Sequence, residues 1–209
     1  MTSELSAAMT QVRAGWRIVY AWTRRCQDLV HLVHQELGGL KFEFVEWSPD
    51  GYRQPGLNRT PYFARGTWAW DLLPAFSMRW VWRRTLPDGR VAEAHLYIRA
   101  DDGWNKAGGG EPDPSRWKPV EETQTLLHLY VYVMNGIERP NLELWSWLDD
   151  GDEQVWNQVR SWTSKDGAAG AVARAIVLEL DLLEDAAAVD TLLFGPARAW
   201  AAEAGMDGG

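Results

Sequence analysis

Cysteine is nearly absent from this 209-residue chain: Cys26 stands alone, so no internal disulfide can form, and a reducing compartment fits. No apolar run is long enough to span a bilayer. Residues Met1 to Met9 carry Glu4 and lack a basic stretch followed by an apolar one, which is the mark of a secretory signal. Together these absences predict a cytoplasmic protein that does not enter membranes.

Catalytic signatures are missing too. There is no Gly-x-Ser-x-Gly elbow, no His-Glu-x-x-His helix and no dinucleotide fingerprint. The three glycines at 108–110 are not followed by the Gly-Lys-Ser/Thr of a phosphate-binding loop. Asp149, Asp150, Asp152 and Glu153 lack the alternating oxygens and distant glutamate of a calcium loop. His31 and His34, three apart beside Asp28 and Gln35, supply two ligands where zinc needs three or four, so a surface pair is expected and no metal or cofactor is assigned. A reactive thiol at Cys26 would need an exposed, electropositive setting, and Cys26 falls on an apolar stripe. No internal repeat occurs.

A basic stripe is the last absence. The net charge is −8, and residues 141–209 hold 13 acids against 4 bases, while the first 140 hold 16 acids and 17 bases. That distribution argues against nucleic-acid binding and permits a basic protein partner.

What the chain does have is tryptophan, 14 in all, including the pairs Trp68 and Trp70, Trp80 and Trp82, and Trp145 and Trp147. Residues two apart share one face of a strand and point nearly opposite ways on a helix. Each pair therefore reads as a strand with two indoles on one side, a statement about packing and not about a reaction.

Along the chain, residues 3–37 predict one amphipathic helix stopped by Gly38 and Gly39. Its stripe runs through Met9, Val12, Trp16, Val19, Cys26, Val30, Val33 and Leu37, with Thr23 in the gap. About 35 residues make a rod of roughly 50 Å, longer than a small domain is wide. The rod either lies along a broad sheet, which we favour, or pairs in part with another copy, which the near-heptad spacing permits.

Strands are expected at 40–47, 68–73, 122–134 and 142–148, with long loops at 48–66 and 101–120. Residues 76–85 and 90–100 predict a hairpin about Pro87-Asp88-Gly89. Proline at the first corner and glycine as the left-handed bulge residue pair Leu86 with Arg90. Trp82 then faces Ala94, Trp80 faces Leu96 and Met78 faces Ile98 on an apolar side. Arg83 faces Glu93, Val81 faces His95 and Arg79 faces Tyr97 on a mostly polar one. The alternative two-residue turn mixes the two faces, and a slip of one residue exchanges them entirely.

Asp150 to Glu153 reads as a capping box opening a helix over 151–163. The Ala-rich remainder is read as helical. Residues 177–182 alternate like a strand, but a stripe of Val172, Ile176, Leu180 and Leu183 favours helix. The fold class expected is α+β: an antiparallel sheet of four to six strands, roughly 40–148, carrying the long helix, with a helical, acidic C-terminal third. Residues 1–163 form the main unit and 164–209 a C-terminal segment packed on it.

Two functions are weighed. In the first, a non-enzymatic adaptor, antagonist or assembly component binds a protein or itself through the long helix, the acidic third, or the loop residues Trp104 and Trp117, since loop tryptophans often anchor partners. In the second, Arg79, Arg83, His95, Tyr97 and Arg99 on the polar hairpin face, with His128 from a neighbouring strand, hold an anionic small molecule. Against this stand a solvated sheet face with an Arg83–Glu93 pair, and a face covered by the acidic helices.

Overall fold

The computed structural model describes residues 2–49, 77–103, 115, 117–136, 159–164 and 167–205. Helix α1, Thr2–Gly39, precedes strands β1 (Glu43–Pro49), β2 (Ser77–Thr85), β3 (Val91–Arg99), β4 (Leu126–Asn135), β5 (Val159–Thr163) and β6 (Gly170–Glu179). Helix α2 (Ala186–Val189) leads through a π-helical turn, Asp190–Phe194, into α3 (Gly195–Glu203). The strands form one antiparallel sheet in the order β1-β2-β3-β4-β6-β5. The fold is α+β, a long N-terminal helix on a six-stranded sheet.

The β2–β3 register is the one that the turn chemistry predicts. Arg83 pairs with Glu93, Trp82 with Ala94, Trp80 with Leu96 and Arg79 with Tyr97. The Leu86 amide donates to the Arg90 carbonyl at 2.8 Å, and Gly89 takes φ +85°. A residue with a side chain would be strained there. Asp88 locks the turn by accepting from the Arg90 amide at 3.1 Å.

One face of the sheet is apolar. Trp80, Trp82, Leu96, Ile98, Leu127, Leu129 and Ile176 pack there beneath Cys26, Leu29, Val33 and Leu37 of α1. Val189, Leu193, Phe194 and Trp200 join the same core, so α2 and α3 lie on the helix side. Among the described residues, then, the C-terminal helices do not cover the polar face, which was one of the alternatives weighed. Arg198 of α3 ties them to α1 by pairing with Glu36 at 2.5 Å, and it also reaches Asp190 at 2.7 Å.

The end of α1 is closed by chain geometry. The Phe42 amide donates to the Leu37 carbonyl at 2.9 Å and the Lys41 amide to Gly38 at 3.0 Å, with Lys41 left-handed at φ +62°. That is a Schellman closure, sealed by the buried Leu37 and Phe42. Gly38 and Gly39 stay inside the helix, one turn before the residue that reverses the chain.

The expectation for the C-terminal third needs correction. Residues 170–179, read as helix, are β6, and residues 159–163 of the expected helix over 151–163 are β5. The stripe of Val172, Ile176 and Leu180 advances by four. Four is an even step, so these positions share a face of a strand as readily as of a helix. Ladders to β4 on one side and β5 on the other outweigh the helix preference of the alanines. Residues 151–158, the strand readings at 68–73 and 142–148, and Trp104 lie outside the described residues.

Candidate functional site

The second face of the sheet brings the predicted polar residues together. Arg79 and Arg83 of β2 and His95, Tyr97 and Arg99 of β3 all project to it. The β3–β4 register sets Tyr97 opposite His128, His95 opposite Tyr130 and Glu93 opposite Tyr132. The solvated-face alternative holds in its Arg83–Glu93 pair but not at the centre, where Glu93, His95 and Tyr132 are each at most 2 % exposed, while Arg79, Arg83, Tyr97 and Arg99 around it are half-buried.

A carboxylate organises the centre. Arg83 donates to Glu93 Oε1 from Nε at 2.7 Å and also from Nη2. Glu93 Oε2 lies 2.9 Å from His95 Nε2. Burial pushes the Glu93 carboxyl up, but hydrogen bonds from His95 and Arg83 outweigh it and hold the group below the usual range. Burial lowers the His95 imidazole and outweighs the pull of Glu93, so the pair is carboxylate and neutral imidazole. The carboxylate therefore fixes the proton on Nε2 and makes Nδ1 the basic nitrogen.

Aromatic rings surround the pair. His95 meets Tyr132 edge-on at 4.8 Å between ring centres, and Tyr97 meets Tyr130 at 5.2 Å. His128 stacks on Tyr130 at 5.9 Å, and burial, then the nearby Arg99 charge, lowers its imidazole to about 4. Burial holds the Tyr132 phenol well above its ordinary value, and the hydroxyl has no hydrogen-bond partner among the described residues. At the sheet edge Arg79 pairs with Glu46 of β1 at 3.0 Å. Tyr132 and Glu46 were not among the candidates. Tyr132 was legible as one of the large residues on the second face of β4, whereas the placement of Glu46 depends on a bulge between Phe44 and Glu46.

Where β1 and β2 meet the end of α1, Arg83 also lines a cleft of about 520 Å³ with Lys41, Glu43, Phe44, Arg84 and Pro87. Arg84 donates to the Leu40 carbonyl at 2.8 Å.

Of the two histidines of α1, His34 is tied to the sheet and His31 stays on the surface. Trp82 Nε1 donates to His34 Nδ1 at 3.0 Å, and His31 lies 3.0 Å from Gln35. Among the described residues no three His, Cys, Asp or Glu side chains are grouped to hold a metal. Trp80 and Trp82 are core; Trp117 is half-buried.

A second feature lies on α1. Its 38 residues span about 57 Å, and among the described residues the core is met by its C-terminal half. Leu5, Met9, Val12 and Trp16 on the stripe, with Tyr20 beside it, are 44–71 % exposed. Soluble monomers seldom expose a contiguous apolar strip of this size without using it. Among the described residues no helix is long and apolar enough to cross a membrane.

No curated protein and no solved structure matches this chain. The model of the PM0109 family does, over residues 2–194, and the chain belongs to that family.

Proposed function

We propose that the protein works by association with another polypeptide, as an adaptor, antagonist or assembly component, and that its working surface is the projecting half of α1. One observation carries the reading: the apolar stripe of α1 continues past the sheet and stands in solvent from Leu5 to Tyr20. In water an isolated helix of this length is marginal, and an apolar face stabilises it only when covered. A reducing, cytoplasmic setting belongs to the same reading, since the one cysteine, Cys26, is a free thiol and the chain uses no disulfide. The experiment is native mass spectrometry of tagged protein purified gently from its host, wild type beside Val12→Glu and Trp16→Glu. A specific complex present in the wild type and absent in both variants is expected. An unchanged complex in both variants would remove α1 from the function.

A second reading keeps the anionic small molecule. It is favoured by the cleft in which Arg83 stands with Lys41 and Arg84 against one carboxylate, Glu43. The volume is of small-ligand size and the excess charge is positive. Arg79, His95, Tyr97 and Arg99 lie further along the same face and would support its wall. In that case Arg83→Ala abolishes the stabilisation of the wild type by inorganic phosphate or citrate, read as a thermal shift. If these anions stabilise wild type and variant equally, Arg83 is not part of a ligand site.

A further inference from the structure

We infer that the partner of the projecting half of α1 is a second copy of this chain, the two arms lying antiparallel about a two-fold axis near Gly15. This rests on the reading of that half-helix as the working surface and adds the identity of its occupant.

The spacing comes first. Leu5, Met9, Val12, Trp16, Val19 and Thr23 follow one another at steps of four, three, four, three and four. That is a heptad seam, and a heptad seam fits another helix bearing the same period.

The order of sizes selects orientation. In an antiparallel pair, seam positions whose numbers sum to 28 share a layer. Trp16 then packs on Val12 of the second copy and Met9 on its Val19, large against small throughout. A parallel pair would stack Trp16 on Trp16, which two closely spaced helices do not accommodate. The antiparallel pair also brings Gly15 against Gly15 beside the axis. A Cβ added at Gly15 meets nothing within 4 Å in the single chain, so that flank is open for close approach. The like charges that meet are Arg13 and its symmetry mate. Each is exposed, and the Arg13 guanidinium already donates to Thr10 Oγ1 at 2.9 Å. Exposed like charges of this kind cost little.

Area is sufficient. The exposed seam residues together with Tyr20 present on the order of 600 Å² of apolar surface per chain, the upper end of what a monomer shows. Two such strips would bury on the order of 1,200 Å², the lower bound of specific interfaces. A reversible, concentration-dependent dimer is therefore expected.

Light scattering on the full chain tests this, with circular dichroism as the folding control. Val12 and Trp16 are about half exposed, so charges there leave the single chain folded. The wild type should approach twice 23.7 kDa as concentration rises. Val12→Glu and Trp16→Glu should remain monomeric at concentrations at least tenfold higher, with unchanged spectra. Met9→Cys mixed with Val19→Cys should cross-link across the pair, and neither should cross-link alone. Cross-linking of either variant with itself would overturn the antiparallel arrangement. A dimer that survives both glutamates would overturn the interface. A wild type that stays monomeric at every concentration would overturn the inference, whether or not it binds vesicles of anionic lipid. If that monomer still loses a distinct host partner on Trp16→Glu, the broader reading of the arm survives. If the glutamates alter no association at all, both fall.

Discussion

From Cys26 to Leu37 the apolar stripe of α1 is sealed against the sheet, whereas from Leu5 to Trp16 the same spacing of threes and fours faces water. The difference lies in what each half meets. The docked half has Trp82, Leu96 and Ile176 beneath it and is pinned by Trp82 to His34 and by Glu36 to Arg198. For the projecting half, nothing of that kind among the described residues buries the large apolar side chains. Periodicity marks a surface built to be covered, and the neighbour decides whether the cover comes from the same molecule.

The contrast can be broken most strongly by truncation. Leu29→Ala in the docked half should cost about 2–5 kcal/mol, because a fully buried side chain leaves a cavity. Leu5→Ala should change the stability of the single chain by less than about 0.5 kcal/mol. Urea unfolding of the two variants checks both; equal losses would mean that the arm is already covered within the chain.

Acid comes next. The His128 imidazole is held at about 4 by burial against an ordinary 6.5, which corresponds to about 3 kcal/mol. The neutral ring is the one that the fold accepts. The full stability is therefore present above pH 6.5, falls as pH drops towards 4, and changes no further through this group below that. His95, lowered in the same direction, adds to the loss, and Glu93 extends it below the ordinary carboxylate range. Residues 5–27 hold no His, Asp or Glu. Association through the arm should thus be independent of pH down to the point where the body unfolds. Urea titrations at pH 7 and pH 5 should differ, His128→Phe should narrow the gap, and sedimentation over the same range should not change.

A smaller effect is expected at the pin. Trp82→Phe removes the indole donor from His34 and should cost about 1–3 kcal/mol, combining lost packing with a lost hydrogen bond. The smallest concerns the end of the docked half. Lys41→Gly relieves a left-handed residue and should raise stability by about 0.5 kcal/mol, read as a higher urea midpoint.

Legibility varied with how local the determining interaction was. The hairpin register was legible because, of the two turns that Pro87-Asp88-Gly89 allows, one separates the two faces cleanly and the other mixes them. The polar set Arg79, Arg83, His95, Tyr97 and Arg99 followed from it. That the centre of this face is buried was not legible, since alternation reports a difference between two faces and not whether the second meets water. Strand β6 was misread because its apolar residues recur at an even step and its alanines favour helix. Its identity is set by β4, remote in sequence, and by the neighbouring β5, itself read as helix. Exposure of the stripe from Leu5 to Trp16 was not what the sequence favoured: the length of the rod left a choice between a broad sheet beneath all of it and pairing of one part, and periodicity, equal in both halves, could not say which.

Cys26 sits where the exposed stripe becomes the buried one, and it is the chain's single thiol. At rest it is inaccessible and protonated, so an alkylating reagent can reach it only when α1 lifts from the sheet or the body unfolds. The native chain thus carries a one-site clock at the junction. Its labelling rate measures how often the docked half lets go, and a change of that rate when the arm is engaged would report strain passing along the rod from the partner to the core.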